Sequence, residues 1–307
     1  MRKLLFLVLG IAVTVGATAP AWAGMLAVCN TTNKSLMIFN ADDGSLVNAS
    51  YLSMAAQSPG NVMNAKIVSA TEFWVSDYGG DQILRYNLTT NAYLGAITNT
   101  YIVGPRGIEV YGNTVYVANA GSSSKRVVKI DATTHTVLGN FVTGSGGAGI
   151  PCDVQLYNPA GTQELLIDDY SPAHDIDRFS LTGSFIATFH DSTGSGDIAS
   201  PLQLGVTQSG TVLAAGSVSP RGVYEYDRFG SKINYWVNAY TVRGVYELNN
   251  TNILFTDDHG VHIINRGTGL ISDVYTGASC NYIEYFVPEP ASLSLMAFAG
   301  LLMLRRR

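Results

Sequence analysis

Short apolar segments recur along this chain at nearly even intervals, and each stops at a polar residue. Six of them, at residues 36–40, 83–87, 127–131, 176–180, 223–227 and 261–265, end in Asn, Asp or Ser, with starts 47, 44, 49, 47 and 38 residues apart. A second apolar segment precedes each, closing at Asn30, Asp77, Asn119, Asp169, Gly216 and Asp257. A third follows five to seven residues on, as at Val137-Leu138 and Leu270-Ile271. β-Branched and aromatic residues alternate through these segments, and no stretch between residues 24 and 287 keeps a helical apolar period, so they predict strands. Five units carry a further segment in front, at 65–68, 106–110, 152–156, 202–206 and 243–248; the first unit lacks one, and an unattached segment stands at Cys280 to Glu284. Four strands in roughly forty residues is the repeat of a propeller blade. Pairing the terminal segment with the first unit leaves no apolar edge open. The pattern therefore predicts an all-β fold, a six-bladed β-propeller whose first blade is completed by residues 280–287.

Local chemistry agrees. Tyr111-Gly112-Asn113-Thr114 and Gln208-Ser209-Gly210-Thr211 read as hairpin turns, since Gly and Asn accept the positive φ of tight connections. The third unit, with Thr114-Val115-Tyr116-Val117-Ala118-Asn119-Ala120-Gly121, then Val127 to Asp131 and Thr136-Val137-Leu138-Gly139, resembles the repeat of YVTN and NHL-type propellers. That resemblance implies a fold and no particular activity, because propellers carry binding, structural and catalytic roles on one frame.

The two ends read as addresses. Arg2 and Lys3, an apolar run from Leu4 to Val15 and Ala21-Trp22-Ala23 before Gly24 have the order of a cleaved signal peptide, residues 1–23. At the other end Pro288-Glu289-Pro290 precedes an apolar run from Ala291 to Leu304 and the terminal Arg305-Arg306-Arg307. As a helix that run would rise about 21 Å, short of the ~30 Å core of a bilayer, and the arginines would stay on the cytoplasmic side. Residues 288–307 resemble the PEP-CTERM sorting signal. The resemblance implies an exosortase-type membrane protease as partner, transient anchoring in the inner membrane of a Gram-negative bacterium, and delivery to the periplasm, outer surface or extracellular matrix. Between the signals, residues 24–287 form the propeller. Without the five cationic residues of the two ends the formal charge moves from −5 to about −10, which argues against nucleic acid as a partner.

In a propeller the inner strands begin, and the second strands end, on one face, where ligands usually meet the fold. The inner-strand starts are Asn64, Arg106, Cys152, Leu202, Arg243 and Cys280. Arg106 and Arg243, from the third and sixth blades, would face each other across the ring and could clamp a carboxylated sugar, because a guanidinium fork matches carboxylate geometry. Asp77, Asn119, Asp169 and Asp257, with Asp258 and His259 just beyond, join them as ligand-binding candidates. Repetition of Asn or Asp at the second-strand ends equally fits Asx turns, an architectural role.

Other constellations are incomplete. Asp168 to Asp177 holds four carboxylates and a histidine in ten residues but lacks the order of a calcium loop. Asp257-Asp258-His259 with His262 could supply a general base, yet no nucleophile elbow accompanies it. The pattern assigns no metal, no cofactor and no catalytic residue. Cys29 and Cys280 fall on neighbouring strands of the first blade and could form a disulfide in an oxidising compartment. Their register, with Cys280 opposite Asn30 by analogy with Arg106 opposite Asn119 in the third blade, sets Cys280 one place from Cys29. Two functions remain: a non-enzymatic exported propeller that binds or organises exopolysaccharide or a partner protein, its seventeen tyrosines suited to sugar rings, or an extracellular lyase or lactone hydrolase acting on an anionic saccharide.

Overall fold

The computed structural model describes residues 24–121, 125–143, 149–171, 173–194 and 196–286; the signal and sorting segments predicted at 1–23 and 288–307 lie outside them. Its strands form six antiparallel sheets of four. The inner strands, Val62–Ile67, Pro105–Tyr111, Val154–Tyr157, Ala199–Val206, Gly244–Glu247 and Cys280–Tyr285, each pack against the next, and the last returns to the first. Cys280–Tyr285 is the inner strand of the first blade, followed outward by Met25–Asn30, Ser35–Asn40 and Leu46–Ser53. The six-bladed propeller closed by its terminal strand is thus the observed fold. Among the described residues no helix is long and apolar enough to cross a membrane.

Each pair of neighbouring blades shares one apolar cluster, so the core is divided into six sandwiches. Successive residues of a strand point to opposite faces, and both faces of a second strand are therefore covered. Phe73 and Val75 pack towards the first blade while Trp74, between them, packs towards the third. Val115 and Val117 face the second blade, and Tyr116 and Ala118 face the fourth. This two-sided burial is why the second strands read as unbroken apolar runs. The outer strands, by contrast, leave Tyr93, Leu94, Phe185 and Ile186 exposed.

The same alternation separates the cysteines. Cys280 does pair with Asn30, as the register argument required. Cys29 packs with Ala27, Ile38 and Phe73 between the first and second blades, whereas Cys280 packs with Leu26, Val28 and Ile283 between the sixth and first. Their side chains leave the sheet on opposite faces, so the expected disulfide is not formed, and Cys29, Cys152 and Cys280 are all free, buried thiols. Burial pushes the Cys280 thiol up to about 12 and raises those of Cys29 and Cys152 as well, which keeps all three protonated and unreactive. Thiol titration with an aromatic disulfide reagent should therefore find no reactive group in the native protein and three after denaturation. A count of one after denaturation would restore the Cys29–Cys280 bridge.

Candidate ligand site at the channel mouth

The site is built by a repeated irregularity of the inner strands. In the first, second, third and fifth blades, three steps along the inner strand match two along its neighbour: Cys280 to Ile283 against Asn30 and Val28, Val62 to Ala65 against Asp77 and Val75, Pro105 to Ile108 against Asn119 and Val117, and Pro201 to Leu204 against Gly216 and Ala214. Such a bulge inserts one residue and re-aims its side chains. It also moves Asn119 opposite Pro105 rather than Arg106, correcting the register anticipated for the third blade. The two residues inside each bulge are Asn281 and Tyr282, Met63 and Asn64, Arg106 and Gly107, and Leu202 and Gln203. Met63, Arg106, Leu202 and Asn281 line a cavity of about 190 Å³ at the channel mouth, together with Arg243, Asn61, Tyr78, Tyr170, Ser217 and Thr241.

The two predicted arginines thus meet in one cavity. The Arg106 guanidinium carbon lies 4.7 Å from the Tyr78 ring centroid and 5.8 Å from that of Tyr170, and its buried Nε has no hydrogen-bond partner among the described residues. Arg243 donates from Nη1 to Asn281 Oδ1 at 3.1 Å. Burial lowers the Arg243 pKa, and the like charge of Arg106 adds to this against the attraction of Asp258. Among the described residues neither guanidinium is ion-paired with a carboxylate. Two guanidinium groups without a carboxylate ion pair, beside aromatic rings, are chemically able to donate hydrogen bonds to an anionic partner.

Beneath the cavity the channel is closed. The Tyr282 hydroxyl donates to the carbonyl oxygens of Cys152, at 3.0 Å, and Leu202, at 3.1 Å. Asp168 accepts the backbone N–H groups of Cys152 and Asp153. Asp153 accepts that of Leu204, and burial raises the pKa of both acids well above the carboxylate range. Gly107 is required here, because a Cβ at its position would sit 2.0 Å from Asp153 Oδ1.

The remaining candidates hold the fold's loops. Asp77 Oδ1 accepts Asn61 N–H at 2.9 Å, Asn119 Oδ1 accepts Val103 N–H at 3.1 Å, and Asp169 Oδ1 accepts Ile150 N–H at 2.9 Å. Each ties a second-strand end to the loop arriving from the preceding blade, the architectural role that their repetition suggested. Asp257 accepts backbone N–H groups of His259 and Gly260 and side-chain donors of Asn238 and His262. Asp257, Asp258 and His259 offer three ligand atoms within 4.8 Å of one another, but Asp257 is already engaged by these four donors. His259 is exposed, touches Asp258 at 3.1 Å and stacks on Tyr240. The carboxylates of the 168–177 segment do not converge. Asp168 faces the channel, Asp169 ties its loop, Asp175 accepts Ser192 N–H, and Asp177 on the third strand is pushed up to about 6 by burial.

Sequence reasoning missed Tyr78, Tyr170 and Asn281. The first two had a signal, the recurring pair Asp77-Tyr78 and Asp169-Tyr170. Asn281 was hidden by the bulge, which puts it, not Cys280, at the mouth, just as Met63 takes the place anticipated for Asn64.

No protein-family profile matches the chain, and no curated protein is similar to it. Solved structures do share its fold. A chain of a nidogen/laminin complex superposes with a TM-score of 0.68 at 13% identity, over 86% of this chain and 99% of that one. Virginiamycin B lyase from Staphylococcus aureus gives 0.55 at 14% identity over 84% and 82%, and a putative gluconolactonase 0.57 at 12% over 74% and 85%. At these identities the likeness is one of fold.

Near the same rim, His262 bridges two carboxylates, with Nε2 3.1 Å from Asp257 and Nδ1 2.8 Å from Asp273. Burial works against its charge, but the two carboxylates outweigh it and raise the His262 pKa above 6.5, while Asp257, despite its own burial, is lowered below 3.8. A raised folded-state pKa stabilises fully below 6.5 and is lost as pH climbs through the folded value; the lowered acid stabilises above 3.8 and is lost as pH falls. Stability measured by denaturant titration should therefore peak between these limits, and His262→Gln should flatten the alkaline limb. Equal alkaline losses in both proteins would show that His262 is not the group responsible.

Proposed function

We propose that this chain is an exported propeller that binds a carboxylate-bearing saccharide at the channel mouth, as a binding protein of the cell surface or extracellular matrix. The observation that carries this reading is the convergence of Arg106 and Arg243, from blades on different sides of the ring, on one cavity whose lining, among the described residues, contains no carboxylate. At about 190 Å³ the cavity lies below the ~300 Å³ where small-molecule pockets begin, so it suits one acidic group and the edge of its ring rather than a whole oligosaccharide. Tyr78 and Tyr170 steady the Arg106 guanidinium and offer faces on which a sugar can lie. A lyase or lactone hydrolase on the same frame, as the fold neighbours raise, would need a proton-transfer group beside the cations. Among the described residues the lining supplies tyrosine phenols, with neither carboxylate nor imidazole. Export by residues 1–23 and exosortase-type processing at Pro288-Glu289-Pro290, ahead of Arg305-Arg306-Arg307, would deliver the domain to such a polymer.

Titration with a polygalacturonate oligomer should give saturable binding that weakens with salt, as a cationic mouth requires. Arg106→Ala and Arg243→Ala should each weaken it by roughly tenfold or more, since a charge-assisted hydrogen bond contributes about 1.5–3 kcal/mol. The oligomer should remain intact, with no unsaturated uronate appearing. Binding unchanged in both variants would remove the clamp, and cleavage would favour the lyase. Separately, removal of residues 288–307 should hold the protein in the periplasm at constant length, whereas the full chain is shortened and reaches the outer surface or medium. Identical fractionation of the two would overturn the sorting role.

A further inference from the structure

The ring has a second mouth, at the far ends of the inner strands, and its chemistry differs from the first. A cavity of about 310 Å³ opens there, bordered among others by Lys66, Gln155, Gln208, Tyr246 and Asn249. Each of its charges has a partner of opposite sign. Lys66 sits between Glu109, at 3.2 Å, and Glu284, at 2.8 Å, and the second oxygen of Glu284 accepts from Asn64. Glu247 is paired with Arg266 at 2.9 Å and accepts the Gln208 N–H at 2.7 Å.

What remains for a ligand in this cavity is uncharged. Among the described residues the Tyr246 hydroxyl, the Gln208 side-chain amide and the Gln155 and Asn249 carbonyl oxygens have no partner. Burial pushes the Tyr246 phenol up to about 12, so it stays a donor throughout the neutral range. A second cavity, of about 340 Å³ between the fourth and fifth blades, shares Val206 with the first and adds Asn158, Gln163, Ser209 and the exposed Arg228, whose guanidinium lies 4.7 Å from the Phe229 ring centroid. The two make a groove running outward from the axis. A free anion would meet Glu284 and Glu247, and a free cation would compete with Lys66 for the same glutamates. Alternating amides and hydroxyls beside an aromatic face instead match a pyranose ring, whose hydroxyls both donate and accept. The size is at the lower end of the ~300–1,000 Å³ expected of a small-molecule site, and the neighbouring cavity doubles it.

We propose that this lower mouth and its adjoining groove bind a neutral oligosaccharide of at least two sugar units. The site is separate from the cationic mouth, because Tyr282 closes the channel between them, and it stands whether or not that mouth binds an acid.

Calorimetric titration of the protein with cellotetraose, mannotetraose and laminaritetraose tests this. At least one should bind saturably, more tightly than its disaccharide. The double variant Gln208→Ala/Tyr246→Phe, at exposed and half-buried positions, should weaken that binding at least tenfold while its thermal unfolding stays near that of the unmodified protein. Arg106→Ala should leave it unchanged. Absence of binding for all three sugars, or binding that the double variant does not weaken, overturns the proposal. So does binding lost in Arg106→Ala, which would assign the sugar to the cationic mouth and leave the anion reading intact.

Discussion

The structure depends on a ring of hydrogen bonds that passes from each blade to the next without a gap. Asn281 Nδ2 of the first blade donates to Val62 O of the second at 2.6 Å, and Ser76 Oγ of the second donates to Arg106 O of the third. Gly107 N–H donates to Cys152 O, bridging third and fourth. Asp153 accepts Leu204 N–H, Gln203 accepts Val245 N–H, and Thr256 Oγ1 donates to Asn281 O at 2.6 Å, which returns to the first blade. Gln203 also bonds both backbone groups of Ile283, so one amide side chain ties the fifth blade to the terminal strand. A polar group buried without a partner costs about 1–3 kcal/mol. Opening the ring at the terminal strand would orphan Asn281, Gln203 and Thr256 together and strip the apolar sandwiches on both sides of the first blade.

Function follows from what this ring leaves over. In four blades the bulge turns two inner-strand residues towards the axis, and the deeper positions around the ring, Asn64, Gly107, Asp153, Gln203, Gly244 and Tyr282, are consumed by contacts between blades or by closing the channel. The shallower members at the mouth are freer. Two of them are arginines without a carboxylate partner, and the low dielectric around them strengthens their field on an arriving anion. At the opposite mouth Lys66 is flanked by two glutamates and Glu247 is paired with Arg266, so the two ends of one channel present different chemistry to solvent.

The site was partly legible in the chain. Arg106 and Arg243 could be assigned to one mouth because blade position follows from a repeat count, and the Asn and Asp of the second-strand ends could be given an architectural alternative that their N–H partners match. Asn281, Met63 and the free state of Cys29 and Cys280 could not be read in the same way. Each turns on whether a strand carries one extra residue or on which face a side chain leaves, and a shift of one position reverses that face.

Apolar segments in a repeating order were enough to determine the strands, their number, the six blades and the return of Cys280–Tyr285 to the first, because period-two burial and the need to cover every edge are properties of the linear pattern. Tertiary structure alone decided which residues reach the axis, which carboxylates serve loops, and why two cysteines on adjacent strands face different sandwiches. Those outcomes depend on bulges and on packing between blades whose members are up to 220 residues apart in the chain, and no local pattern records a distance of that kind.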